Sequence, residues 1–148
     1  MEQEIIKYLN NTYSVDNGVR SQAEEGLGHL DAQQGFPEAL VAISLNKNYE
    51  VALRQSSSIL LKNWIDYHWS TGGEKFKHPV ASDDTKNFIR QNLPNGLQDP
   101  TRQVRGVLAA ALANVASWDW PEVWPQLVPS LLDALNSTDQ NTIDGALR

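Results

Sequence analysis

The chain has 148 residues, 41% of them hydrophobic, with a formal net charge of −6 and no cysteine. That length buries one sizeable core, and the missing cysteines exclude disulfides and thiolate chemistry, in keeping with a reducing compartment. The charge is uneven, with eight acids against three bases in residues 1–50, five against six in 51–100, and five against three in 101–148. Without a basic stripe the chain is a poor match for a phosphate backbone, so no direct nucleic-acid partner is expected, whereas a basic protein would suit it.

The start, MEQEIIKYL, has no basic segment followed by a long apolar run, so it does not read as a secretory signal. Residues 2–12 place Ile5, Ile6 and Leu9 on one face of a short amphipathic helix. Val15-Asp16-Asn17-Gly18 predicts a turn with a cap, and 19–33 a second helix burying Val19, Ala23, Leu27 and Leu30. Gly26 and Gly28 weaken that helix by roughly 1 kcal/mol each relative to alanine, so packing must hold it. Pro37 suits a first helical position, and 37–45 reads as a third helix with Leu40, Val41 and Ile43.

Residues 51–69, VALRQSSSILLKNWIDYHW, carry the clearest helical pattern. Leu53, Ser57, Leu60, Leu61, Trp64 and His68 share one side, and Gln55, Ile59, Lys62 and Asp66 the other. Residues 71–81 form a long irregular loop with Gly72-Gly73 and Pro79 as breakers. Ser82 with Asp83 and Asp84 starts a helix to about Leu93, and Pro94-Asn95-Gly96 loosens it. Asp99-Pro100 reads as a cap and first-turn proline opening a helix to about Val115. Trp118 to Pro121 breaks the chain, 121–135 is helical with a kink at Pro129, and Thr138-Asp139 begins a last helix.

The pattern predicts about eight helices, no strand, and no apolar run of about 18 residues that would span a membrane. Val19-Arg20, Leu53-Arg54, Val104-Arg105 and Ile143-Asp144 fall into register at intervals of 34, 51 and 39 residues. Behind them Leu27, Leu61 and Leu112 align, as do Leu30, Trp64 and Val115. Helix pairs at this period predict an all-α, right-handed α-solenoid of about four HEAT-like repeats, the last incomplete. A repeated four-helix bundle is the competing architecture. Because the final repeat is unfinished and lacks a polar cap, the chain reads as the amino-terminal piece of a longer array.

Catalytic signals are missing. His29, His68 and His78 have no metal-ligand spacing, and no Walker or dinucleotide loop is present. Ser56-Ser57-Ser58 lies in mid-helix, away from any nucleophile elbow. No enzyme, metal or cofactor is expected, and His68 reads as an ordinary residue on the packed side of its helix.

On the side of the long helices facing away from their packed side stand Ser21, Glu25, Gly28 and Ala32, then Gln55, Ile59, Lys62 and Asp66 flanked by Asn63. The third helix contributes Gly106, Ala110, Ala113 and Ser117 flanked by Asn114. A solvated helix back is normally long and charged, and this one is largely small. Two readings stand open: the third helix is buried on both sides, or the small residues make a shallow surface for a globular partner.

Arg20-x-x-Ala23-Glu24-x-x-Leu27, Gly35-Phe36, Leu53-Arg54-Gln55, Leu61-Lys62-Asn63 and Trp69 resemble the amino-terminal domain of importin-β (karyopherin-β) nuclear transport receptors. The later Ala116-Ser117-Trp118-Asp119-Trp120-Pro121-x-x-Trp124-Pro125-x-Leu127 is similar to the stretch opening that family's fourth repeat. The ordered set is most similar to the importin-9 branch with its fungal counterpart. The resemblance implies that residues 1–148 are HEAT repeats 1–4 of a monomeric receptor shuttling between cytoplasm and nucleus. It implies binding of the Ran GTPase in its GTP form by second helices, of Phe-Gly nucleoporins in convex grooves, and of basic cargo such as core histones. Lys62 and Asn63 match the motif residues that approach Ran; Gln55, Ile59 and Asp66 extend that face, and Asn114 joins it from the third long helix. Trp120, Pro121, Trp124 and Pro125 read as packing residues. Ser57 and Ser58 stand where the family often has alanine or larger apolar groups, which leaves the packing there open. A HEAT-repeat scaffold or assembly subunit outside transport is the alternative reading.

Overall fold

A computed structural model describes residues 1–120 and 122–129. The described residues form six α-helices, α1 (Glu2–Asn11), α2 (Asn17–Leu30), α3 (Phe36–Leu45), α4 (Val51–His68), α5 (Asp83–Asn92) and α6 (Arg102–Asp119), with a 3-10 helix at Leu93–Gln98. The segment expected to be helical over 121–135 is not helical at 122–126, where the chain turns, and is helical at 127–129. The rest of it, including any kink after Pro129, and the last expected helix lie outside the described residues.

Local chemistry accounts for most helix starts. Glu2 and Glu4 stand in the first turn of α1, where acids favour the helix dipole. Asp16 caps α2, its Oδ1 accepting from the amides of Gly18 and Val19 at 2.8 and 3.1 Å. Ser82 caps α5 through the Thr85 amide at 3.2 Å, with Asp83 and Asp84 in the first turn.

Each helix packs on others near it along the chain. α1 packs on α2 and α3; α3 packs on α4 and α5; and α4 packs on α6, which also holds the 3-10 turn. These successive contacts, with α1 and α6 not among the main contact pairs, fit the expected stack of helix pairs. One continuous core runs through it, from Ile5 and Leu9 through Leu40, Ile43, Leu61 and Trp69 to Leu93, Val104, Leu108 and Val115. Two glycines mark its closest approaches. A Cβ on Gly26 would stand 2.5 Å from the Tyr8 ring, so the residue that weakens α2 also lets α1 lie against it. A Cβ on Gly96 would stand 2.6 Å from the Leu108 side chain, which seats the 3-10 turn on α6.

A polar seam crosses the core between α3, α4 and α6. Arg54 and Asp99, both nearly inaccessible, form an ion pair. Arg54 Nε donates to the Ser44 carbonyl at 3.1 Å, and Arg105 Nη1 to the Asp99 carbonyl at 2.7 Å. Asp99 is therefore not the cap of α6, which belongs to Thr101; its Oδ1 accepts from the Thr101 amide at 2.8 Å while Oδ2 takes the arginine. Two members of the recurring arginine register, Arg54 and Arg105, thus meet in a buried electrostatic seam, whereas Arg20 is half-buried and donates locally to the Ser14 carbonyl. Ser57 and Ser58 are accommodated in the same way, their hydroxyls donating to the Leu40 and Arg54 carbonyls at 2.9 and 2.8 Å.

α6 also runs further than expected, through Trp118 to Asp119. Asp119 Oδ2 accepts from Trp69 Nε1 at 3.0 Å and Arg90 Nε at 2.9 Å, which fastens the last turn of α6 to α4 and α5. Of the expected packing residues, Trp124 is buried, Trp120 and Pro125 are exposed, and Pro121 lies outside the described residues. His68 is fully buried as expected, but it also ties elements together. Its Nε2 meets Asp31 Oδ2 at 2.6 Å, and its Nδ1 reaches the carbonyls of Lys77 and Pro79 at 2.9 and 2.7 Å.

Candidate partner-binding face

α4 is amphipathic because its buried positions, Leu53, Ser57, Leu61, Trp64 and His68, recur every three or four residues against α3 and α6. The residues between them are turned outward. Ile59 is 42% exposed, while Gln55, Lys62, Asn63 and Asp66 are partly exposed. The side chains of Gln55, Lys62 and Asn63 make no hydrogen bond or ion pair among the described residues.

α6 supplies the neighbouring strip. Ala110, Ala113 and Ser117 are exposed and Gly106 and Asn114 partly so. Within this chain α6 is therefore not buried on both sides, and a shallow strip of small side chains lies open. The corresponding residues of α2, Ser21, Glu25 and Gly28, are likewise exposed, as is Ala32 just beyond that helix.

The structure joins the two strips at Asp66 and Asn114. Asn114 Nδ2 donates to Asp66 Oδ1 at 2.7 Å, across α4 and α6. The remaining expected site residues share the α4 face and make no side-chain hydrogen bond to Asn114 among the described residues. Sequence reasoning missed Trp118, which is 49% exposed and borders a cavity with Asp66, Asn114 and the loop residues Gly73, Glu74 and Lys75. The missed signal is the i, i+4 spacing from Asn114 to Trp118, hidden by ending the helix at Val115.

A second cavity, of about 360 Å3, lies where α2 and α4 end and α3 and α5 begin, with Asp31, Trp64, His68 and Ser82 among its walls. Three of its polar groups are engaged with one another: Trp64 Nε1 donates to the Asp31 carbonyl at 3.1 Å, and the Asp31 carboxylate holds His68. The clearest titration shift lies outside both cavities, at Tyr49. The Glu2 carboxylate that accepts its proton at 2.9 Å raises that phenol above its usual range. Among the described residues, no group of three His, Asp or Glu is placed to hold a metal, and no helix is long and apolar enough to cross a membrane.

The model of the importin-beta N-terminal domain family matches residues 23–99, which include α3, α4 and α5 and most of α2. The chain belongs to the importin-beta N-terminal domain family. Its relatives include Importin-9 of Drosophila melanogaster, 31% identical over 151 residues, and Importin subunit beta-5 of Schizosaccharomyces pombe, 35% identical over 150 residues. These alignments cover 100% and 99% of this chain and 15% of each relative, so the chain spans about a seventh of the curated relatives it matches. Two solved structures share the fold. The exportin Cse1 in its cargo-free, cytoplasmic state superposes with a TM-score of 0.83 at 21% identity, over 99% of this chain and 15% of that one. Kap95p, whose binding induces the switch loops of RanGDP to adopt the GTP-bound conformation, superposes with a TM-score of 0.81 at 22% identity, over 99% of this chain and 18% of that one. The α-solenoid of HEAT-like repeats expected from the helical period is the fold of these karyopherins.

Proposed function

We propose that this chain is the amino-terminal part of a nuclear transport receptor whose exposed α4–α6 face binds the Ran GTPase in its GTP form. The observation that carries the reading is the open surface itself. Two adjacent helices of a solenoid present small side chains on α6, unpaired polar groups on α4, and one hydrogen bond, Asp66 to Asn114, joining them. Such a surface admits a globular partner closely and leaves polar groups free for it. Support also comes from membership in the family and from the likeness to Kap95p, whose binding acts on the switch loops of RanGDP. On this reading residues 1–148 hold the first four HEAT repeats, and Gln55, Ile59, Lys62, Asn63, Asp66 and Asn114 contact the GTPase. Basic cargo such as histones suits the net charge of −6. Phe-Gly nucleoporins and shuttling between cytoplasm and nucleus follow from the same reading.

Calorimetric titration of the chain with Ran loaded with GTP and with GDP is the test. Binding that favours the GTP form and weakens in Lys62→Glu or Asp66→Lys is expected. Equal affinity for both forms, or none for either, would count against it.

A further inference from the structure

At the carboxy-terminal end of α4 the open face deepens into a cavity of about 230 Å3 between Asp66, Asn114, Trp118 and the loop residues Gly73, Glu74 and Lys75. Asp66 is held in place: one carboxylate oxygen accepts from Asn114 at 2.7 Å, while the other takes no hydrogen bond among the described residues. No cation stands within ion-pair distance of it there. Trp118 forms a neighbouring wall. The edge of its indole lies 3.4 Å from where a Cβ on Gly72 would stand, so the glycines admit it against the loop, and about half of the side chain remains exposed.

These groups select a ligand by chemistry. A pre-oriented carboxylate with a free oxygen wants a charged donor, and an indole face attracts a cation. Glu74 adds a second negative group at the rim. Lys75, the one base among the described lining residues, is exposed and pairs with neither acid nor with Trp118. A guanidinium satisfies both main walls together, because its planar fork bonds a carboxylate while its face stacks on an aromatic ring; a compact ammonium does one or the other less well. The small side chains of Ala113 and Ser117 leave room for the backbone that would deliver it.

We infer that this cavity receives an arginine side chain of the protein partner lying across α4 and α6, with Asp66 accepting from the guanidinium and Trp118 stacking on it. The inference rests on the reading of that face as the partner surface and adds the group that anchors the partner there.

The test uses two probes of one shape, N-acetyl-arginine amide and its uncharged counterpart N-acetyl-citrulline amide. Each is titrated into the isotope-labelled chain while the Trp118 indole N–H and the Asn114 side-chain amide are followed by NMR. Arginine is expected to shift both signals saturably, with citrulline at least about 10-fold weaker. Asp66→Asn is expected to weaken arginine binding by about 10-fold or more, and Trp118→Ala by roughly 3- to 30-fold. Glu74→Lys, on the exposed loop, places a competing cation at the rim and replaces either variant that fails to fold. Equal response to citrulline, an undiminished response in Asp66→Asn, or no response to arginine up to about 50 mM would overturn the inference.

A second arm measures Ran-GTP affinity in the same variants. Ran binding without an arginine response sinks the arginine pocket and spares the receptor reading. An arginine response without Ran binding sinks the receptor reading and spares the pocket chemistry. Ran affinity untouched by both Asp66→Asn and Trp118→Ala also overturns the inference, because the partner then does not use the pocket.

Discussion

Along α4, the side meeting α3 and α6 carries Arg54, Ser57, Ser58 and Leu61, all buried and all bonded or packed. The outward side carries Gln55, Ile59, Lys62 and Asn63, whose side chains make no hydrogen bond or ion pair among the described residues. On the inner side a polar atom deprived of its partner cannot turn to water, so each group is committed. On the outer side water already serves the polar groups, and the residues contribute little to folding. One helix therefore separates stability from recognition by burial, and substitutions should sort by side.

The largest effect is expected at the seam. Asp99→Ala strands Arg54 without a counter-charge and should lower stability by about 3–5 kcal/mol in urea unfolding; a loss below about 1 kcal/mol would mean that water reaches the seam. Leu61→Ala, a fully buried position on the same side, should cost about 2–5 kcal/mol through lost transfer energy and a cavity. Gly96→Ala should cost about 1–3 kcal/mol in the same measurement, because the added methyl meets the Leu108 side chain. If it proves neutral, the 3-10 turn is free to shift off α6. At the small end, Lys62→Glu should leave stability within about 0.5 kcal/mol while reducing Ran-GTP affinity. A Lys62→Glu chain that melts like Asp99→Ala would erase the distinction between the two sides.

The stacking was legible in the sequence because a solenoid repeats its burial pattern, so Leu27, Leu61 and Leu112 could be aligned without knowing what they touch. Helix starts at Asp16 and Ser82 were legible because a cap bonds amides only two or three residues away. The errors arose where a distant residue overrode local grammar. Asp99 beside Pro100 reads as a cap, yet an arginine 45 residues earlier in the chain takes its carboxylate. Val115 reads as the end of α6, yet Asp119 is bonded to Trp69 and Arg90, and that long-range fastening sustains another turn. The lengthened helix is what places Trp118 beside Asp66. Whether the small residues of α6 were covered could not be read from α6 itself, since exposure is a property of its neighbours.

Asp31, just past the end of α2, has a mechanical consequence. Its carbonyl holds Trp64 and its carboxylate holds His68, while the other nitrogen of that imidazole grips the chain at Lys77 and Pro79. These bonds work as a tie rod from the first helix pair, through the end of α4, into the loop that carries Glu74 and Lys75. Hydrogen bonds break when stretched by a fraction of an ångström, so a force that levers α2 away from α4 loads the tie and pulls on the loop. The rim of the cavity is thereby sprung against the first repeat.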